Sequence, residues 1–215
     1  MDIKINIDQN HLLDKNNEPL LLKQKDFIRE FNKKYKIMAS MPDLYEAGKS
    51  ADFETHKNIQ KDLDYTIITS TKIIYNYDSS SELEGTIIHY SGSNIIEPKT
   101  HILKIPEYFS IEGQGVSIDQ VLRTHQGLTF LQNLFSTTDE PKEIKETLRE
   151  LTNKKTKYTF VFTPSTYTYN NCNRYDAHEC VATLASLSST DFLFISAGFY
   201  IDGKGRSYGK SINTL

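Results

Sequence analysis

Residues 23–91 carry a run of short amphipathic segments that cannot bury their apolar faces one at a time, so they must pack together. Phe27, Ile28, Phe31 and Tyr35 recur at helical spacing and predict a first helix over residues 23–35. Ser40 is placed to cap a short second helix, with Pro42 in its first turn and Gly48 closing it. Ser50 predicts the cap of a third helix reaching residue 62, with Phe53, Ile59 and Leu63 turned inward. Residues 65–75, rich in Ile and Thr, then read as a strand. Asp78-Ser79-Ser80-Ser81 reads as a loop, and residues 85–90 as the returning strand of a β-hairpin. Ahead of this run, Ile3, Ile5 and Ile7 alternate with polar residues as a half-buried strand does.

Composition narrows the class. A chain of 215 residues is long enough for one or two domains with a sizeable core. Hydrophobic content of 38% and charged content of 25% fit a globular protein. The net charge of −3 argues against a protein that coats nucleic acid through many phosphate contacts. No apolar run approaches the roughly 18 residues of a membrane span. Met1-Asp2-Ile3-Lys4 lacks the apolar core of a signal peptide, so a cytoplasmic location is expected. Cys172 and Cys180 are the only cysteines, too few for a disulfide framework or a four-cysteine zinc site.

The helices and hairpin of residues 23–91 resemble the winged-helix domains of bacterial and archaeal regulators. Phe27-Ile28 in the first helix, Met41-Pro42-Asp43-Leu44 in the second and Ile67-Ile68-Thr69-Ser70 in the following strand carry the resemblance, which covers about a third of the chain. It implies that the third helix enters the major groove of duplex DNA, presenting Ser50, His56, Lys57, Gln60 and Lys61. Gln pairs with adenine edges and Lys with guanine or phosphate. Residues 23–61 hold nine Lys or Arg and six Asp or Glu, a local excess of +3. The sequence also departs from the pattern. Leu44 stands where a small residue is usual, and the hairpin loop carries Asp78, Glu82 and Glu84 where phosphate would lie.

Near Ser91-Gly92-Ser93-Asn94 the character changes, which divides the chain into residues 1–91 and 92–215. The second half reads as a mixed α/β unit. A strand over residues 100–105 precedes a helix over 118–135, opened by a Ser117/Gln120 capping box, and a helix over 141–151. A strand over 158–163, a helix from Asp176 to about 187 capped by Asp176 and Glu179, and a strand over 192–200 read as a βαβ unit with parallel strands. In such a unit both strands end on one edge, where ligands of open α/β sheets bind. Two unusual segments follow those strand ends. Residues 164–174 are polar and aromatic, with Tyr167, Tyr169, Asn171 and Arg174, and residues 202–210 are glycine-rich and basic, with Lys204 and Arg206. The cations suit a phosphate and the tyrosines a base. Cys172, Asp176, His178 and Glu179 are the acid, base or nucleophile types there, and a thiol near a helix N-terminus has a lowered pKa.

Other signals are weaker. Asp202-Gly203-Lys204, with Asp191 or Glu179 upstream, matches a fragment of metal-dependent nuclease sites but is common by chance. Gly113-Gln114-Gly115 is half of a dinucleotide loop. His125 falls on the apolar face of its helix and reads as a core histidine, and His89 and His101 lie in strands with no evident partner. No motif names a cofactor. The expectation is therefore an α+β protein that reads duplex DNA through residues 50–61, with a second half for sensing, homodimerisation or catalysis. The alternatives are a hydrolase or nuclease acting on a nucleotide or nucleic acid at residues 164–180 and 202–210, and a protein-interaction module without catalysis.

Overall fold

The computed structural model describes residues 6–8, 28–29, 37–50, 56, 67–77, 83–90, 99–104, 115–152, 157–162, 178–186, 191–199, 208–209 and 211–213. In chain order these contain strands β1 (Asn6–Asp8) and β2 (Ile37–Met38), helix α1 (Met41–Lys49), and strands β3 (Ile67–Tyr77), β4 (Leu83–His89), β5 (Lys99–Lys104) and β6 (Val116–Ser117). Helices α2 (Ile118–Leu122), α3 (His125–Phe135) and α4 (Pro141–Leu151) follow. Strands β7 (Tyr158–Phe162), β8 (His178–Ser186), β9 (Phe192–Phe199), β10 (Tyr208–Gly209) and β11 (Ser211–Asn213) complete the set. The class is mixed α+β.

An eight-stranded sheet runs in the order β5-β4-β3-β8-β9-β7-β6, with β10 pairing beside the start of β3, and a three-stranded sheet runs β1-β11-β2. The large sheet combines strands from both sides of residue 91. The hairpin expected from the sequence is present, with Thr71 opposite His89 and Tyr77 opposite Leu83. It is not a free wing, because β5 pairs with the outer side of β4 and β8 with the outer side of β3.

Strand β8 replaces the helix expected from Asp176 onward. It pairs antiparallel with β3 on one side and with β9 on the other. Ala, Glu and Leu in this segment are helix formers, but propensity is a weak prior that two flanking strands override. Glu179 is therefore a strand residue opposite Ile74 rather than part of a helix cap. The parallel pairing of the strands at 158 and 192 holds, with Tyr158 beside Phe192 and Phe162 beside Ser196.

The helix expected over residues 118–135 is two helices. Thr124 interrupts it: its hydroxyl accepts from the Gly127 amide and caps α3, while the Ser117/Gln120 capping box opens α2 as expected. His125 consequently sits in the first turn of α3 and is exposed, not in the core. Helix α4 spans the expected residues, opened by Pro141 and burying Ile144, Leu148 and Leu151. Ser40 caps α1 with Asp43 in a reciprocal capping box. Gly48 does not close that helix but lies within it, buried against α4.

Helices α1, α3 and α4 share one apolar cluster with one face of the large sheet. Tyr45, Phe130 and Phe135 are its bulkiest members, packed with Ile67, Ile73, Ile87, Val161, Leu193 and Ile195. Alternation along β7 and β9 puts the aromatic residues Tyr158, Phe160, Phe192 and Phe194 on the other face. No helix among the described residues is long and apolar enough to cross a membrane.

Thr69-Ser70-Thr71, three polar residues mid-strand, are all fully buried. Here the β3–β8 register shifts between Ile68 and Lys72, and side chains take over from the ladder. The Thr69 hydroxyl donates to the Ala182 carbonyl at 2.6 Å. The Ser70 amide donates to the Ala39 carbonyl at 2.8 Å, and its hydroxyl reaches the carbonyls of Met38 and Tyr90. The Met41 amide donates to Thr71 Oγ1 at 2.9 Å. This bulge joins β2, α1, β4 and β8, and it explains why a polar triplet interrupts an otherwise Ile-rich strand.

Candidate functional site

Register defines one edge of the large sheet. Strands β7 and β9 run parallel, so Phe162 and Phe199 both point their chain toward the same side. The start of β8 lies there too, because Val181 is opposite Phe199 and β8 runs the other way. His178 pairs with Tyr75 near the end of β3, which brings the end of β3 and the start of β4 to the same edge. Tyr77, Leu83, Phe162, His178 and Phe199 therefore lie along one edge of the sheet, whereas Tyr208 pairs with Ile67 at the other end of β3.

Most of the residues singled out from the sequence fall outside the described set. These are Tyr167, Tyr169, Asn171, Cys172, Arg174, Asp176, Lys204 and Arg206, with Lys57, Gln60 and Lys61 of the expected DNA-reading helix. His178 and Glu179 begin β8. The helix expected from Asp176 is thus a strand from His178 onward, and a strand end carries no dipole comparable to that of a helix N-terminus. Asp191 is engaged elsewhere: its carboxylate meets Lys157 at 2.7 Å and its carbonyl accepts from the Lys157 and Tyr158 amides.

At the expected DNA-binding helix, the structure corrects one residue outright. His56 is helical but buried, with Nε2 3.0 Å from the Ala47 carbonyl, so it packs down onto α1 instead of facing outward. The Ser50 amide closes the end of α1 onto the Glu46 and Ala47 carbonyls.

Sequence reasoning passed over two polar centres. The first is His89, buried between Thr71 Oγ1 at 2.9 Å and the Asn133 carbonyl at 3.0 Å. The second joins Tyr45, Asp139 and Lys49. The Tyr45 hydroxyl donates to Asp139 at 2.8 Å and the Lys49 ammonium reaches the same oxygen at 2.6 Å. Burial, aided by the Asp139 charge, pushes the Tyr45 phenol far above its ordinary value. Desolvation alone would raise the Asp139 carboxyl, but hydrogen bonds from Lys49, Tyr45 and Thr137 outweigh it and hold the group below the usual aspartate range. Desolvation likewise opposes the Lys49 charge and is outweighed by Asp139, so the ammonium is held above its usual range. All three groups are thus moved away from neutral pH, the opposite of what proton transfer needs. The cluster ties α1 to the loop between α3 and α4.

This cluster makes a pH-dependent prediction. Asp139 has a depressed folded-state pKa, so its contribution is present above the unfolded value and fades as pH falls through the folded one. Asp139→Asn is expected to lower stability by about 1 kcal/mol near pH 7, since the pair is partly exposed. The gap to the parent should close under acid. Urea melts at pH 7 and pH 3 measure both, and a gap that widened on acidification would contradict the assignment.

No family model matches the chain, and no curated protein matches it. It is similar to a solved structure described as "Accommodation of massive sequence variation in Nanoarchaeota by the C-type lectin fold". The two superpose with a TM-score of 0.54 over 99% of each chain, at 8% sequence identity. What they share is the fold.

Proposed function

We propose that this chain is a protein-recognition module whose contact residues lie in segments 164–174 and 202–207. One observation carries the reading: β7 and β9 pair in parallel, so the chain leaves both strands on one edge of the sheet immediately before those segments. Their composition supports it. Pro164 to Arg174 includes Tyr167, Tyr169, Asn170, Asn171 and Asn173, and 202–207 includes Gly203, Gly205 and Ser207. Tyr, Ser, Gly and Asn dominate engineered and immune recognition loops, because rigid aromatic rings supply contact area and small polar residues supply adaptable hydrogen bonds. The solved structure similar in fold is described as accommodating massive sequence variation. A core that persists while other positions vary is what a recognition scaffold requires.

Duplex-DNA reading through Ser50, Lys57, Gln60 and Lys61 gains no such support, because a wing needs a free hairpin and both strands of this one are flanked in the sheet. The nucleotide-enzyme reading loses its helix N-terminus at β8.

The test randomises Tyr167, Tyr169, Asn171, Arg174 and Arg206 together in the full chain, displayed on yeast, with immobilised lysozyme as bait. Most members are expected to keep the parent melting temperature, and lysozyme-binding clones should emerge. Wholesale loss of folded display, or no binders from a well-folded library, would overturn the reading. Parent binding to random duplex DNA that weakens steeply between about 50 and 200 mM salt would favour the DNA-binding alternative instead.

A further inference from the structure

The opposite edge of the sheet carries a second feature, independent of the recognition segments. Strand β6 pairs with β7 only at Phe160 and Val161. Ahead of that pair, Tyr158 and Thr159 have no strand on that side among the described residues. Helices α2 and α4 lie alongside, and the space between them and the strand is a groove in two adjoining parts. One part, of about 410 Å³, is lined by Arg123, Lys142, Lys145 and Arg149 around a floor of Leu122 and Pro141. The other, of about 300 Å³, shares Lys145 and Arg149 and extends to Lys157, Tyr158 and Phe160.

The charge is uneven. Five cations line the groove against two acids, Asp119 and Glu146, in a chain whose net charge is −3. Lys145 is engaged by Asp119 at 2.6 Å and Lys157 by Asp191 at 2.7 Å. Arg123, Lys142 and Arg149 are exposed and enter no ion pair among the described residues. Lys142, Lys145 and Arg149 recur at spacings of three and four, which puts them on one face of α4. At the far end Tyr158 is 55% exposed, the one large apolar side chain so placed among the described residues, and its ring stacks on Phe192 at 5.5 Å.

We propose that this groove is a docking site for an acidic peptide segment of a partner protein, its carboxylates meeting Arg123, Lys142 and Arg149 and an apolar side chain resting on Tyr158 and Phe160. Arginine forks match carboxylates bidentately. Arg and Tyr are also the residue types that anchor protein interfaces. Two acids within the lining disfavour a continuous phosphate backbone, which needs an unbroken positive track. A peptide can place neutral or basic residues opposite Asp119 and Glu146.

The experiment uses the full chain and a fluorescein-labelled decapeptide of Asp, Glu and Phe, followed by anisotropy. Controls are the same peptide with Lys in place of every acid, and a ten-nucleotide oligothymidylate. The acidic peptide is expected to bind and the other two not. Arg123→Glu with Lys142→Glu should weaken binding by about tenfold or more, because like charges then face each other, with the melting temperature unchanged. Asp119→Asn, which frees Lys145, should tighten it. That gain cannot come from misfolding. Equal binding of the lysine peptide, preferential binding of the oligonucleotide, no binding of the acidic peptide, or indifference to both sets of substitutions would each overturn the proposal. None of these outcomes involves segments 164–174 or 202–207, so this site and the recognition edge stand or fall separately.

Discussion

Gly48→Val is expected to cost about 3 kcal/mol of folding stability. A Cβ built on Gly48 would lie 2.8 Å from Leu151 Cγ, 3.0 Å from Thr147 Cγ2 and 3.0 Å from the Thr147 carbonyl oxygen. None of these is the loose end of a flexible side chain. Leu151 Cγ is a branch point in the core and the carbonyl belongs to the α4 backbone, so relief requires the two helices to separate. Glycine is a poor helix former, and Gly48→Ala recovers up to about 1 kcal/mol of propensity, which the overpacking exceeds. Valine recovers less and adds two methyl groups to the clash. For a chain of this length the loss corresponds to roughly 10 °C in melting temperature. Urea melts of the parent, Gly48→Ala and Gly48→Val should rank in that order, and a neutral valine variant would mean that α1 and α4 do not approach this closely.

The second large effect is expected at His89. The Asn133 carbonyl can only accept, so Nε2 must carry the proton that reaches it at 3.0 Å. In the neutral ring Nδ1 is then the acceptor, and the Thr71 hydroxyl donates to it at 2.9 Å while accepting from the Met41 amide. One imidazole thereby links β4 to α3 and, through Thr71, to the start of α1. His89 is 3% exposed, so His89→Ala leaves a void as well as broken hydrogen bonds. Together these cost about 3–4 kcal/mol. His89→Gln, whose amide supplies both a donor and an acceptor, should recover part of it. Equilibrium unfolding of these two variants and of His89→Leu distinguishes a polar link from filler, since filler would be replaced better by Leu than by Gln.

Elements with a self-contained signal were legible in the sequence. Helix α4 has Pro141 at its start and Ile144, Leu148 and Leu151 at helical spacing, and it spans the expected residues. Strands β3, β4, β5, β7 and β9 were visible from their β-branched and aromatic content. Strand β8 was not. Ala182 and Leu184 are buried, and so is Thr183 on the alternate face, so the segment shows no polar–apolar alternation. Its helix-forming residues sat behind an apparent capping pair, and it is a strand because β9, close in sequence, and β3, more than a hundred residues away, flank it on both sides. The break at Thr124 was hidden because the apolar positions on either side of it fit one continuous helix. His56 was misplaced for a related reason: a helical wheel gives a residue's side of its own helix but not which other element closes over that side. The winged-helix resemblance got the hairpin right and its surroundings wrong, since a local pattern carries no information about β5 and β8. Of the two grooved or looped edges, the sequence pointed to the segments beyond β7 and β9. The cations of the α2–α4 groove lay unnoticed, because Arg123, Lys142 and Lys157 converge only in three dimensions.

The three-stranded sheet sets an order on how the molecule can assemble. Ile7 pairs with Ile212, and Ile37 with the same Ile212 from the other side. Strand β11 is the middle strand, so β1 and β2 have no ladder until it arrives. Closure of this sheet therefore rests on pairings of high sequence separation, whose loop-closure entropy must be lost before any ladder bond forms.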